Sequence, residues 1–197
     1  MPKTDRTITK ADIISNAEFA PVRKARRAAL KPAKALRRVD LGRDCTFYFE
    51  SYETMLFQIQ EMLYIEKGGD EQLQDELRAY NPLVPNGNEL VATMMFEIDD
   101  PVRRLNLLLK LGGIENHIYI QIGDEKIYVV PEDDAERTSA DGKTSSVHFF
   151  HFPMTADQKT AFQNPESKII LGSDHKDYAH MTVLSAQTVT ELAGDFS

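Results

Sequence analysis

The sequence predicts an α+β fold: a mixed or largely antiparallel sheet with helices packed on it and a basic helical segment at the N-terminus. Two observations predict this. Strand-like alternation and helical periodicity are interleaved in the order helices, then β-α-α-β-α-β-β-β-α-β-α, so strands neither alternate strictly with helices nor run consecutively. The 197 residues, 42 % hydrophobic and 27 % charged, suffice for a core without covalent staples, and no linker or internal repeat divides them. The chain is therefore read as one domain over 1–197, with a basic helical segment at 1–40 and an α+β body at 41–197.

Thr9 followed by Asp12 reads as a helix start, because a side-chain oxygen there satisfies free N–H groups. Pro21 opens the next helix, where Val22, Ala25, Ala29, Ala33 and Leu36 make an apolar stripe. Pro32 falls inside that pattern and predicts a kink or split. Residues 45–50, CTFYFE, alternate as a strand. Residues 52–67 keep helical phase through Met55, Leu56, Ile59, Met62 and Leu63, and Gly68-Gly69 ends the run. Asp70 caps a helix reaching Tyr80, and Pro82, Pro85 and Asn86-Gly87 mark a loop.

A strand is predicted over 89–98, with Leu90, Ala92, Met94, Phe96 and Ile98 on one face. Asp99 or Asp100 then caps a helix carrying Pro101 in its first turn and ending near Gly112-Gly113. Ile118, Ile120 and Ile122 alternate, and Gly123-Asp124-Glu125 turns the chain into KIYVV as a hairpin. A long polar loop at 131–144 carries Glu132, Asp133, Asp134 and Glu136. A strand at 146–152, a helix at 155–163, a strand at 168–172 and a helix at 186–193 complete the reading.

The single cysteine, Cys45, excludes an internal disulfide. Together with a polar N-terminus it predicts a cytoplasmic protein. No apolar run approaches the ~18 residues of a membrane span. The net charge of −8 is unevenly spread: residues 21–38 hold eight basic side chains and no acidic one, which leaves −16 on the remainder. Arg23, Arg27, Lys31, Lys34 and Arg38 line one side of that helix and are the candidate partner-binding residues. Such a stripe suits an acidic protein partner, nucleic-acid phosphates, or internal pairing with the chain's own carboxylates. No aromatic side chain interleaves it to stack on bases, so nucleic acid is the weakest of the three readings.

No nucleotide-binding loop, nucleophile elbow or zinc-protease motif is present. Whether the protein is an enzyme stays open, and no cofactor is indicated. Glu50, Thr54, Gln58 and Glu61 recur at helical spacing, and Glu97 interrupts an apolar strand face. If Gln58, Glu61, Tyr80, Asn81 and Glu97 converged, two carboxylates, amides and a phenol would share a pocket suited to acid–base work or a hard metal. The alternative is that Glu61 and Glu97 lie at the surface or pair with arginines of the basic helix.

Histidines give no metal motif. His148 and His151 fall on opposite strand faces, and His175 and His180 sit among ordinary polar residues. Cys45 reads as a small buried hydrophobe, with a redox-sensing thiol beside Arg43 as the alternative.

Four segments carry a resemblance: ITKADI (8–13), TFYFESYETMLFQIQEML (46–63), ELRAYNPLVPNGNEL (76–90) and MMFEI (94–98). They resemble an uncharacterised bacterial family, domain of unknown function number thirty-five-oh-one. That resemblance implies proteins often encoded beside rubrerythrin-like and iron–sulfur proteins, hence a redox or oxidative-stress setting and a protein partner of that kind. It supplies no catalytic residues to carry over.

Overall fold

Local capping sets the first elements. The computed structural model describes residues 6–132 and 142–196. Thr9 and Asp12 form the predicted capping box, with Thr9 N and Oγ1 donating to Asp12 at 2.9 and 2.8 Å, but around a short 3-10 turn. Ser15 and Glu18 repeat the device and start α1 (Asn16–Leu36). The helix thus begins five residues before Pro21, and it is continuous through Pro32. Both Pro32 and Ala28, whose carbonyl the missing N–H would have bonded, are exposed, so water can satisfy the orphan acceptor.

The chain reverses at once. β1 (Arg38–Leu41), whose first residue was expected on the basic helix, pairs antiparallel with β2 (Cys45–Phe49) across Gly42, whose φ of +71° favours glycine. Ser51 caps α2 (Tyr52–Glu66), and Lys67 at φ 57° closes it ahead of the two glycines. Gly68, not Asp70, is the N-cap of α3 (Gly69–Tyr80). β3 (Glu89–Phe96) follows, then α4 (Pro101–Leu108), capped by Asp100. The predicted hairpin is β4 (Ile118–Ile122) and β5 (Glu125–Tyr128). After β6 (Val130–Pro131) come β7 (Val147–Pro153), α5 (Ala156–Gln163), β8 (Ile169–His175), β9 (Tyr178–Val183) and α6 (Ala186–Ala193).

The described strands form two sheets, five-stranded in the order β1-β2-β3-β7-β6 and four-stranded in the order β5-β4-β8-β9, with every pairing antiparallel. The fold is α+β. The inner faces of the sheets meet in the main core, where Phe47, Met94 and Phe150 oppose Ile118, Ile120 and Leu171. β3 alternates as its sequence demands: Leu90, Ala92, Met94 and Phe96 point into that core, and Val91 points the other way. Val91 joins Met55, Ile59, Leu63 and Leu73 in a second core, which packs α2 and α3 on the outer face of the five-stranded sheet. α1 lies across α2 and reaches α6, with Phe19 as its one fully buried apolar side chain. Among the described residues no helix is long and apolar enough to cross a membrane.

Candidate functional site

Two ion-pair clusters hold α1 down. Near its start, Arg23 donates through Nε and Nη2 to Glu61 of α2 at 2.7 and 2.8 Å, and Arg27 adds a third bond at 2.5 Å. Arg23 also lies 5.0 Å over the Tyr64 ring. The hydrogen bonds from Arg23, then those from Arg27, hold the Glu61 carboxyl below the usual range against the opposing effect of burial. Glu61 is therefore an ionised anchor for the basic helix.

At the other end, Arg37 is 6 % exposed. It meets Asp195 at 2.9 and 2.8 Å, Glu191 at 2.9 Å and the Glu50 carbonyl at 3.0 Å. Burial pushes the Asp195 carboxyl up, and the Arg37 guanidinium opposes that shift. Bidentate geometry of this kind makes the pair a strong, directional one. The sequence carried a signal for this role: Arg37 falls four residues after Ala33, which is half-buried on the same side of the helix.

Between these anchors α1 stands over open space. A cleft of about 750 Å³ runs between α1, the start of α2 and α6, lined by Leu30, Ala33, Ser51 and Glu191 among others. Beside it a cavity of about 280 Å³ is lined by Lys34, Tyr48, Glu50, Thr93 and Met95. Arg37 and Thr54 line both. Glu50 sits at the turn from β2 into α2, its backbone N–H bonded to Val91 of β3. Its carboxylate accepts from Thr54 Oγ1 at 2.7 Å and Thr93 Oγ1 at 2.8 Å. Burial raises the Glu50 pKa, with the two hydroxyls and the charges of Lys34 and Arg37 opposing. This carboxyl was visible in the helical spacing with Thr54, but the burial that gives it chemical interest comes from α1 and β3.

The five residues expected to converge do not share one pocket. Gln58 Nε2 is 3.4 Å from Tyr80 OH, so these two meet. Asn81 is occupied with the backbone of Ile8, accepting from its N–H at 2.8 Å and donating to its carbonyl at 2.9 Å. Glu97 lies just past β3 and accepts from Thr46 Oγ1 at 2.7 Å and Tyr48 OH at 2.8 Å, with Arg38 at 3.6 Å. The Thr46 hydrogen bond leads the effects that lower its pKa. Glu61 and Glu97 share no partner, because one faces α1 and the other crosses the sheet to β2.

The basic stripe divides similarly. Arg23 and Arg27 bind Glu61, and Arg38 binds Asp40 at 2.9 Å. Lys31 and Lys34, with Lys24 and Arg26, are exposed and form no ion pair with any described residue. Of the acidic loop, Asp133, Asp134 and Glu136 lie outside the described residues.

His148 and His151 do take opposite faces of β7. His148 stacks on Phe150 in the main core, with ring centroids 5.6 Å apart. His151 contacts Glu89 through Nδ1 at 3.0 Å and Glu132 through Nε2 at 2.7 Å. His175 is buried beside His117, whereas His180 lies on the Tyr178 ring. No group of three or more His, Cys, Asp or Glu among the described residues could hold a metal ion. Cys45 is 2 % exposed, and burial pushes its thiol pKa up, the opposite of what a reactive thiolate needs.

No curated protein matches this chain. A crystal structure at 1.90 Å resolution of a novel protein of unknown function from Burkholderia pseudomallei K96243 is similar over 97 % of this chain and 100 % of its own, with 33 % identity and a TM-score of 0.89. The family model described as protein of unknown function (DUF3501) matches residues 7–196. With nearly every element described above inside that match, the chain belongs to the DUF3501 family.

Proposed function

We propose that the protein is a non-enzymatic accessory protein that docks an acidic protein partner on the outer face of α1. One observation carries this reading: Lys24, Arg26, Lys31 and Lys34 stand exposed, without an ion-pair partner among the described residues, on a chain of net charge −8. A protein with surplus carboxylates leaves these cations unneutralised, which favours association with an acidic surface. The family resemblance supplies the setting, a cytoplasmic redox or oxidative-stress pathway with a rubrerythrin-like or iron–sulfur partner. Nucleic acid fits less well, since α1 lacks aromatic side chains among its outward cations.

The test separates docking from folding. Arg23 and Arg27 anchor α1, so their reversal would disturb the fold; Lys24 and Lys31 do not. Immobilised protein should capture a rubrerythrin-like or iron–sulfur protein in stoichiometric amount from lysate of the source cells at low salt. Capture should weaken as salt rises. The double variant Lys24→Glu, Lys31→Glu should lose capture at unchanged Tm. A wild-type eluate without such a protein, or equal capture by the double variant, overturns the reading.

A further inference from the structure

We infer that the cavity between α1 and the β2–β3 wall binds a small zwitterion of amino-acid size, with Glu50 receiving its ammonium group and Lys34 its carboxylate. This site shares Lys34 with the docking face, whereas Glu50, Thr93 and Met95 lie outside that face.

The inference begins with two opposite charges that line one cavity without meeting. Lys34 and Glu50 both face the space of about 280 Å³, yet they form no ion pair within 4.0 Å. Glu50 is not free to swing toward the lysine, because hydroxyls from two different elements hold it: Thr54 of α2 bonds one carboxylate oxygen and Thr93 of β3 the other. Each oxygen keeps a further lone pair for an ammonium donor. A gap with an acceptor fixed on one side and a mobile cation on the other is filled best by a molecule carrying both complementary charges.

The remaining charged group does not compete. Arg37 also lines the cavity, but its five N–H groups are engaged by Asp195, Glu191 and the Glu50 carbonyl. It adds positive potential without offering a donor. Tyr48 directs its hydroxyl to Glu97, so it presents its ring, and Met95 supplies an apolar wall. A simple anion would meet Glu50, and a simple cation would meet Lys34 and Arg37. An apolar ligand would leave the Glu50 carboxylate buried without a charged partner. The volume lies just under the roughly 300 Å³ at which drug-sized sites begin, which suits a small metabolite. Raised carboxyl pKa values of the kind burial gives Glu50 are common where a ligand completes the site.

The full-length chain is titrated calorimetrically with each of the twenty proteinogenic amino acids. For any that binds, its decarboxylated amine and its deaminated acid are titrated too. At least one amino acid should bind, with each single-charge analogue weaker by about tenfold or more. Lys34→Met, a surface change, and Glu50→Gln, which keeps the side-chain shape, should each weaken binding similarly. Absence of binding by every amino acid at about 10 mM, above the usual range for metabolites, overturns the inference. So does equal binding of either analogue, or undiminished binding by the Lys34→Met variant.

Discussion

His151 shows how a single ring can be read for its charge. Its two nitrogens face Glu89 and Glu132, and carboxylates only accept hydrogen bonds. Both bonds form together only when both nitrogens donate, which is the imidazolium form of the ring. The Glu89 bond leads the effects that raise its pKa above the ordinary 6.5, against the opposing effect of burial. The folded state thus holds the proton more tightly than the unfolded chain. Stability from this site is complete below the ordinary histidine pKa and is lost as pH rises through the elevated folded value. His151→Gln should cost about 1–2 kcal/mol near pH 6. The gap in Tm from wild type should close as pH rises; a gap that stays constant would refute the imidazolium. Strand alternation made the orientation of His151 legible, but its partners stand 62 and 19 residues away and no local pattern names them.

At the scale of elements, α1 is the basic helix the sequence predicts, but its start was misread, and Val22, Ala25 and Ala29 of the expected apolar stripe are exposed while Phe19 is the buried anchor. The missed signal was Ser15 with Glu18, the same capping box that Thr9 and Asp12 advertise six residues earlier around a mere turn. Pro32 was expected to break the helix, and solvent instead relieves its effect. Pro32→Ala restores an N–H to the Ala28 carbonyl and should raise the unfolding midpoint, by about 1–2 kcal/mol in stability. An unchanged or lower midpoint in denaturant would show that Pro32 costs α1 nothing. β1 and β9 escaped the sequence reading for a related reason. Tyr178–Val183 is mostly exposed and polar at intervals, and its pairing with β8 defines it rather than its own composition.

For the whole molecule, strand alternation placed the α+β class and the inward residues of β3 and β4 within reach of the sequence. The division into two antiparallel sheets was not, because which strands pair is settled by contacts across the main core. The same distance hid Arg37. Its partners Glu191 and Asp195 arrive 154 and 158 residues later, tying the end of the chain to α1. Arg37→Ala strands the buried Asp195 carboxylate and should cost about 3–5 kcal/mol. The double change Arg37→Ala, Asp195→Ala should cost less than the sum of the single changes. Additive losses in denaturant unfolding would mean that the pair does not act as a unit. The five expected pocket residues failed to converge for an equally global reason: α1 claims Glu61, whereas Glu97 is held by β2.

α1 resembles a beam on two supports. One support is Glu61 beneath Arg23 and Arg27; the other is Asp195 and Glu191 beneath Arg37. The ten residues from Arg27 to Arg37 span about 15 Å over hollow ground, at 1.5 Å per residue. A beam fixed at both ends cannot slide, since a slip of one turn, about 5.4 Å, would break both supports together. Bending at mid-span changes the clearance beneath it but not which side chains face each other. Lys34, three residues short of the second support, is therefore kept in register with Glu50 whatever the middle of the helix does.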